Sequence, residues 1–216
     1  MKRKSLSQQA YDCIKQKIVS LALPPGEVID EASLGKELGL GRTPIREALQ
    51  RLALEKLVVI VPRRGMFVTE IGITDLQQLF EVRLILESMA TRLAAQRGTA
   101  VHWQPMETAL ARFSADDEAD NETLIEIDAT CHQIIYEAAD NEFLKDTLVT
   151  MYALSLRLWY FFLVKIGNMR SAVLEHKSML DALKAGDGAK ASQLMEKHIR
   201  AFQEEIHAVM AGTPQP

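Results

Sequence analysis

Gly41-Arg42-Thr43-Pro44-Ile45-Arg46-Glu47-Ala48-Leu49-Gln50-Arg51-Leu52 is the stretch on which the fold of this chain turns. Thr43 is suited to capping a helix, and Pro44 to its first position, where a missing N–H does no harm. Ile45, Ala48, Leu49, Leu52 and Ala53 then recur at helical spacing as one apolar stripe. Arg42 and Arg46, four apart, share another face. Just upstream, Gly39-Leu40-Gly41 makes a tight turn, and Asp30 can cap a short helix that packs Leu34 and Leu38. Two short helices joined by a glycine turn make a helix-turn-helix. Further out, Tyr11, Ile14, Ile18 and Leu21 predict a helix over 6–22, stopped by Pro24-Pro25-Gly26. On the other side, 58–61 and 66–69 flank Pro62-Arg63-Arg64-Gly65 and predict a two-stranded wing.

Charge divides the chain at the same place. Over 216 residues the formal charge is −4, which argues against a nucleic-acid partner. Residues 1–71 nevertheless carry 12 Lys and Arg against 8 Asp and Glu, a balance of +4, while the remainder stands at −8. A basic segment joined to an acidic body is the asymmetry of a nucleic-acid module fused to something else. At 48% apolar and 25% charged residues the composition is globular, not disordered. Two cysteines, Cys13 and Cys131, make no disulfide framework and suit a reducing compartment. The apolar run 158–164 is far short of the ~20 residues that span a bilayer. The start of the chain, Met1-Lys2-Arg3-Lys4, lacks an apolar leader region, so a cytoplasmic protein is expected.

The basic side chains lie where a duplex would meet them. In helix-turn-helix proteins the start of the second helix enters the major groove. An arginine there can grip guanine O6 and N7 or a phosphate, so Arg42 and Arg46 are candidate contacts. Arg63 and Arg64 on the wing suit the backbone or minor groove; Arg51 and Lys56 read as ordinary surface charge. The stretches Pro24–Leu34, Gly41–Leu49 and Arg64–Val68 resemble the winged-helix domain of GntR-family transcriptional regulators over about residues 6–70. That resemblance implies that Arg42, Thr43, Arg46, Arg64 and Gly65 touch operator DNA. Gly41 stands where many relatives carry Ser or Thr, and Ala32 where some carry Arg.

Beyond residue 72 no strand is credible. Thr74-Asp75-Leu76-Gln77 reads as a capping box opening a long helix with Leu76, Leu79, Phe80, Leu86, Met89, Ala90 and Leu93 on one side. Arg97-Gly98-Thr99 ends it, and helices follow at about 104–118, 121–139, 141–166, 170–185 and 188–211. The acidic run 115–121 reads as a solvated turn. The expected fold is thus mainly α: a winged helix-turn-helix over 1–71, then an all-α antiparallel bundle over 72–216.

The histidines divide by the company they keep at helical spacing. His176 has Ala172, Val173, Met179 and Leu180 at i±3 and i±4; His198 has Leu194, Met195, Ala201 and Phe202. His132 shares a face with Asp128, among Ile135 and Tyr136. One carboxylate and three imidazoles therefore fall on buried stripes of three helices, whereas His102 and His207 read as bystanders. A single buried histidine is as a rule a hydrogen-bonded core residue, but a buried carboxylate must be protonated, paired or metal-bound. By ligand type Asp128, His132, His176 and His198 suit a divalent transition metal, zinc or nickel first, manganese or cobalt next.

Asp128-x-x-x-His132, Glu175–Ala182 and Met195–His198 resemble the metal-binding helical domain called FCD, which follows a GntR winged helix in the short, six-helix form of the FadR-like subfamily. The match spans about 74–210 and implies that those four positions hold the ion. The family's Val-Arg-x-x-x-Glu pattern recurs as Val82-Arg83-Leu84-Ile85-Leu86-Glu87, with Arg83 facing inward. An inward guanidinium beside a metal is a receptor for a small carboxylate; Arg157 is a candidate second interior cation, with an interface or structural role as its alternative.

The expected protein is a cytoplasmic, homodimeric regulator, acting as a repressor on palindromic operator DNA and answering to an organic-acid effector held by metal and Arg83. Three rival readings stand beside it: a regulator for which the ion itself is the signal, a metal-dependent hydrolase, and a bundle in which the metal is purely structural. The hydrolase lacks a His-Glu-x-x-His pattern and an inward general base, so no catalytic residue is assigned.

Overall fold

The computed structural model describes residues 4–113, 120–166 and 169–210. It comprises two compact units, one of residues 1–75 with 153–161, the other of 76–152 with 162–216.

The first unit opens with α1 (Leu6–Val19), which Ser5 caps by accepting the Gln8 N–H at 3.1 Å. It ends three residues short of the predicted 22, where Leu21 turns to positive φ (62°). Strand β1 (Val28–Ile29) leads into α2 (Glu31–Leu38), held at its start by Asp30 Oδ1 on the Ala32 N–H and closed by Gly39 in the left-handed region. Helix α3 (Arg42–Leu54) starts two residues earlier than a Thr43 cap predicts: Gly41 is the cap and makes no side-chain bond. Pro44 still falls in the first turn, whose N–H groups lack intrahelical partners, so it does no harm. The wing is β2 (Val58–Val61) and β3 (Gly65–Val68), antiparallel, with Val61 opposite Gly65. β1 adds to the far edge of β3, giving a sheet of order β1-β3-β2.

The core of this unit joins Ile14 and Ile18 of α1, Leu34 of α2, Ile45, Leu49 and Leu52 of α3, and Val68 of the wing. Each fully buried Leu or Ile there contributes about 1.5–3 kcal/mol. Arg51, read as loose surface charge, instead stacks on the Tyr11 ring at 3.7 Å. Tyr11 donates to Glu55 at 2.7 Å and Lys15 reaches the same carboxylate at 2.7 Å, tying α1 to the end of α3.

The second unit is helical: α4 (Ile73–Arg97, from Leu76 onward), α5 (Ala100–Leu110), α6 (Asn121–Ala138), α7 (Glu142–Ile166, outside 153–161), α8 (Arg170–Lys184) and α9 (Gly188–Met210). α4 already contains Thr74, so the predicted capping box there does not form. α5 begins four residues earlier than predicted because Thr99 and His102 make the capping box: the His102 ring accepts the Thr99 N–H at 3.1 Å. The predicted stretch 114–118 and most of the acidic run lie outside the described residues. Met89, expected inside, is exposed, as are Val82 and Ile85 on the same side of α4. α8 and α9 pack along each other through a turn at Gly186, whose φ is 71°. Among the described residues no helix is long and apolar enough to cross a membrane.

Candidate metal centre and DNA-reading face

Three helices of the second unit bring one polar cluster together in an apolar core. α6 supplies Asp128 and, one turn on, His132; α8 supplies His176; α9 supplies His198, and all four are buried. Their ligand atoms lie within 4.8 Å of one another. His176 Nε2 is 2.9 Å from Asp128 Oδ1, and His198 Nε2 is 3.6 Å from the same oxygen. His132 Nε2 is 3.8 Å from Asp128 Oδ2 and 3.3 Å from His198 Nε2. The four positions singled out by spacing are therefore brought together.

The donor set fits a divalent cation. With metal–ligand bonds of about 2.0–2.2 Å, neighbouring ligand atoms sit roughly 3–3.5 Å apart, close to the spacings seen. The Nε2 atoms of His132 and His198 face each other while each ring's Nδ1 points at a carboxylate, an arrangement that a cation between them satisfies. Burial, countered by Asp128 and reinforced by His198, pushes His176 down to about 4, so the ring is neutral near pH 7, as a ligand must be. Burial alone would raise Asp128, but His132 and the bond from His176 outweigh it and hold the carboxyl well below its usual range.

Around this set lies a second layer that sequence reasoning left without roles. Glu87 on α4 is wholly buried. Its Oε2 is 2.9 Å from His132 Nδ1, and its Oε1 takes the Tyr136 hydroxyl at 2.7 Å. Arg83, one turn earlier, is as buried as expected, and its Nε (3.0 Å) and Nη2 both donate to Glu87 Oε1. Burial opposes the charge on Glu87, yet His132 and Arg83 hold its carboxyl far below the ordinary range. Tyr152 of α7 donates to Asp128 Oδ2 at 2.7 Å. Glu175 of α8 faces His198 Nδ1 at 3.2 Å. Tyr136 at i+4 from His132 and Glu87 at i+4 from Arg83 were visible as spacings; Tyr152 and Glu175 had no local signal. Arg157 is buried, as expected of an interior cation, and belongs to the first unit, where it donates to the Thr69 carbonyl.

In the first unit Arg42, Thr43 and Arg46 lie exposed on the first two turns of α3, with Ile45, Ala48 and Leu49 buried behind them. Arg46 Nε is 3.6 Å from Glu31 Oε1 of α2. At the wing tip the Arg64 N–H closes a turn on the Val61 carbonyl at 3.0 Å, with Arg63 at φ 63° and Gly65 at φ 108°. Arg63, Arg64 and Gly65 are exposed there. An exposed arginine pair at a helix start beside a basic wing is the arrangement that reads a groove and its flanking phosphates.

Residues 6–68 match the gntR family of bacterial regulatory proteins, and residues 78–201 match the FCD domain. The chain belongs to the GntR-family transcriptional regulators with a C-terminal FCD domain. It is similar to the HTH-type transcriptional repressor RspR of Escherichia coli K12, 25% identical over 94% of this chain and 90% of that one. It is likewise similar to the HTH-type transcriptional regulator McbR of the same strain, 27% identical over 96% and 97% of the two chains. The solved structure of E. coli McbR/YncC shares the fold with a TM-score of 0.86 at 23% identity, over 96% of this chain and all of that one. This regulator is therefore a DNA-binding protein of a family of transcriptional regulators, not enzymes, and the hydrolase rival falls.

Proposed function

We propose that this GntR-family regulator is a homodimeric, cytoplasmic repressor of a palindromic operator, and that a small organic acid at a metal site in the bundle alters its grip on DNA. The observation that carries this is the meeting of His132 Nε2 and His198 Nε2 at 3.3 Å over the buried Asp128. We assign 1–71 to DNA reading and 72–216 to sensing. Asp128, His132, His176 and His198 would hold the ion, zinc or nickel before manganese or cobalt. When bound, it supplies positions for an effector's carboxylate oxygen. Arg83 adds the interior cation: its five-donor fork can serve Glu87 and an incoming carboxylate together.

On the DNA side, Arg42, Thr43 and Arg46 enter the major groove while Arg64 and Gly65 approach the backbone. The exposed apolar stripe of Val82, Ile85 and Met89 on α4 supports pairing with a second copy, and two heads one helical turn apart give a palindrome its specificity. The repressor named among the relatives, RspR, supports repression. The burial of Asp128 and His176 favours a resident ion over one that exchanges as a signal.

The experiment is a gel-shift titration of the metal-loaded protein on its selected operator with a panel of organic acids. At least one acid is expected to change operator affinity, through the loaded protein alone. No response to any acid, with metal present, would overturn the effector reading.

A further inference from the structure

The two carboxylates behind the histidines repeat one arrangement. Glu87 places Oε1 on the Arg83 guanidinium and Oε2 2.9 Å from His132 Nδ1. Glu175 places Oε1 3.3 Å from Lys197 Nζ and Oε2 3.2 Å from His198 Nδ1. In each case one oxygen is neutralised by a cation and the other is presented to an imidazole. A carboxylate can only accept there, so the hydrogen on Nδ1 donates to it. A neutral imidazole carries a single N–H, so Nε2 then keeps its lone pair. His176 is set differently: among the described residues its buried Nδ1 has no hydrogen-bond partner, and its Nε2 lies on Asp128.

We propose that Glu87 and Glu175 are paired positioning carboxylates, which fix His132 and His198 in the Nδ1–H tautomer and turn both Nε2 lone pairs to one point beside Asp128. This rests on the metal reading above and deepens it. The two outer carboxylates pre-set two of the three imidazoles; among the described residues, His176 has no carboxylate behind its Nδ1. Their burial differs, and so does their use as a test. Glu87 is inaccessible and also holds Arg83, so its removal threatens the fold; Glu175 sits at the rim with its side chain 22% exposed.

The test uses the full chain, stripped of metal and labelled with nitrogen-15, so that long-range proton–nitrogen spectra of the imidazoles report tautomers without any ion. His132 and His198 are expected as Nδ1–H in the wild type. Glu175→Leu is expected to release His198 into a mixture of tautomers, and Glu175→Gln, whose amide oxygen still accepts, to retain it. Zn²⁺ affinity, read by competition with a coloured chelator, should fall about 10–100-fold in Glu175→Leu and less in Glu175→Gln. Glu87→Gln, checked for retained helicity, should lose affinity through the weaker acceptor behind His132. His132 or His198 found as Nε2–H, or Glu175→Leu with unchanged tautomer and unchanged Zn²⁺ affinity, would overturn the proposal. A wild type that binds no Zn²⁺ ends the metal reading instead, and the spectra of the stripped protein still decide what the carboxylates do.

Discussion

Replacing Tyr152 by Phe removes one hydroxyl and leaves the packing of the centre in place. The ring that lies against His132, with centroids 4.8 Å apart, and beneath Arg83 at 5.6 Å stays. What disappears is the 2.7 Å hydrogen bond to Asp128 Oδ2. A hydrogen bond to a charged group contributes about 1.5–3 kcal/mol, and a buried acceptor deprived of its donor keeps the full penalty of its desolvation. For a chain of this size each kcal/mol moves the melting temperature by roughly 2–4 °C, so the metal-stripped variant should melt about 3–12 °C below the wild type. Thermal unfolding followed by far-ultraviolet circular dichroism, with chelator present, measures this. A second consequence separates the site from general packing: the hydroxyl holds one carboxylate oxygen and so presents the other, and Zn²⁺ affinity should drop about 10–100-fold. If the stripped variant melts with the wild type and binds Zn²⁺ equally well, Tyr152 does not support Asp128.

Three further outcomes follow from the same geometry. Arg46→Ala, an exposed change with the α3 core untouched, should weaken operator binding and lower the slope of log affinity against log salt by about 0.9 for each phosphate no longer neutralised, as read by fluorescence anisotropy across salt concentrations. Leu49→Ala, at a wholly buried position, should destabilise the winged helix by about 2–5 kcal/mol in urea unfolding and abolish operator binding with it. Asp128 and Glu87 titrate well below the ordinary carboxylate range when folded, so their stabilisation is present above the unfolded pKa of about 4 and fades as pH falls. The stripped wild type should therefore become less stable to urea below about pH 5, and Asp128→Asn should flatten that dependence.

What the sequence disclosed, and what it hid, follows from the range of the interactions concerned. Asp30 and Gly39 mark α2 because caps act on neighbours within one turn. The apolar periods of α6, α8 and α9 put Asp128, His132, His176 and His198 inward, and a buried carboxylate among imidazoles is informative by itself. β1 escaped because two residues, Val28 and Ile29, become a strand only by pairing with Phe67 and Met66 far along the chain. The start of α3 moved from Pro44 to Arg42, and two residues is within the usual play of helix ends. Met89 lies exposed although Phe80 and Ala90 on the same helix are buried, because a long helix carries apolar side chains on more than one face. Tyr152 and Glu175 gave no sign: each takes its role from a partner 23 or more residues away.

The buried Asp128/His132/His176/His198 set as a resident metal centre is the claim on which the sensing role depends. Its most direct test is a titration of Zn²⁺ and Ni²⁺ into the metal-stripped full chain against a competing chelator, with the metal content of protein purified without chelator measured alongside. One tightly held ion per chain is expected, slow to exchange, and absent from a His176→Ala/His198→Ala double variant that remains helical. A wild type that is purified metal-free, remains helical and shows no saturable binding of either ion would contradict it.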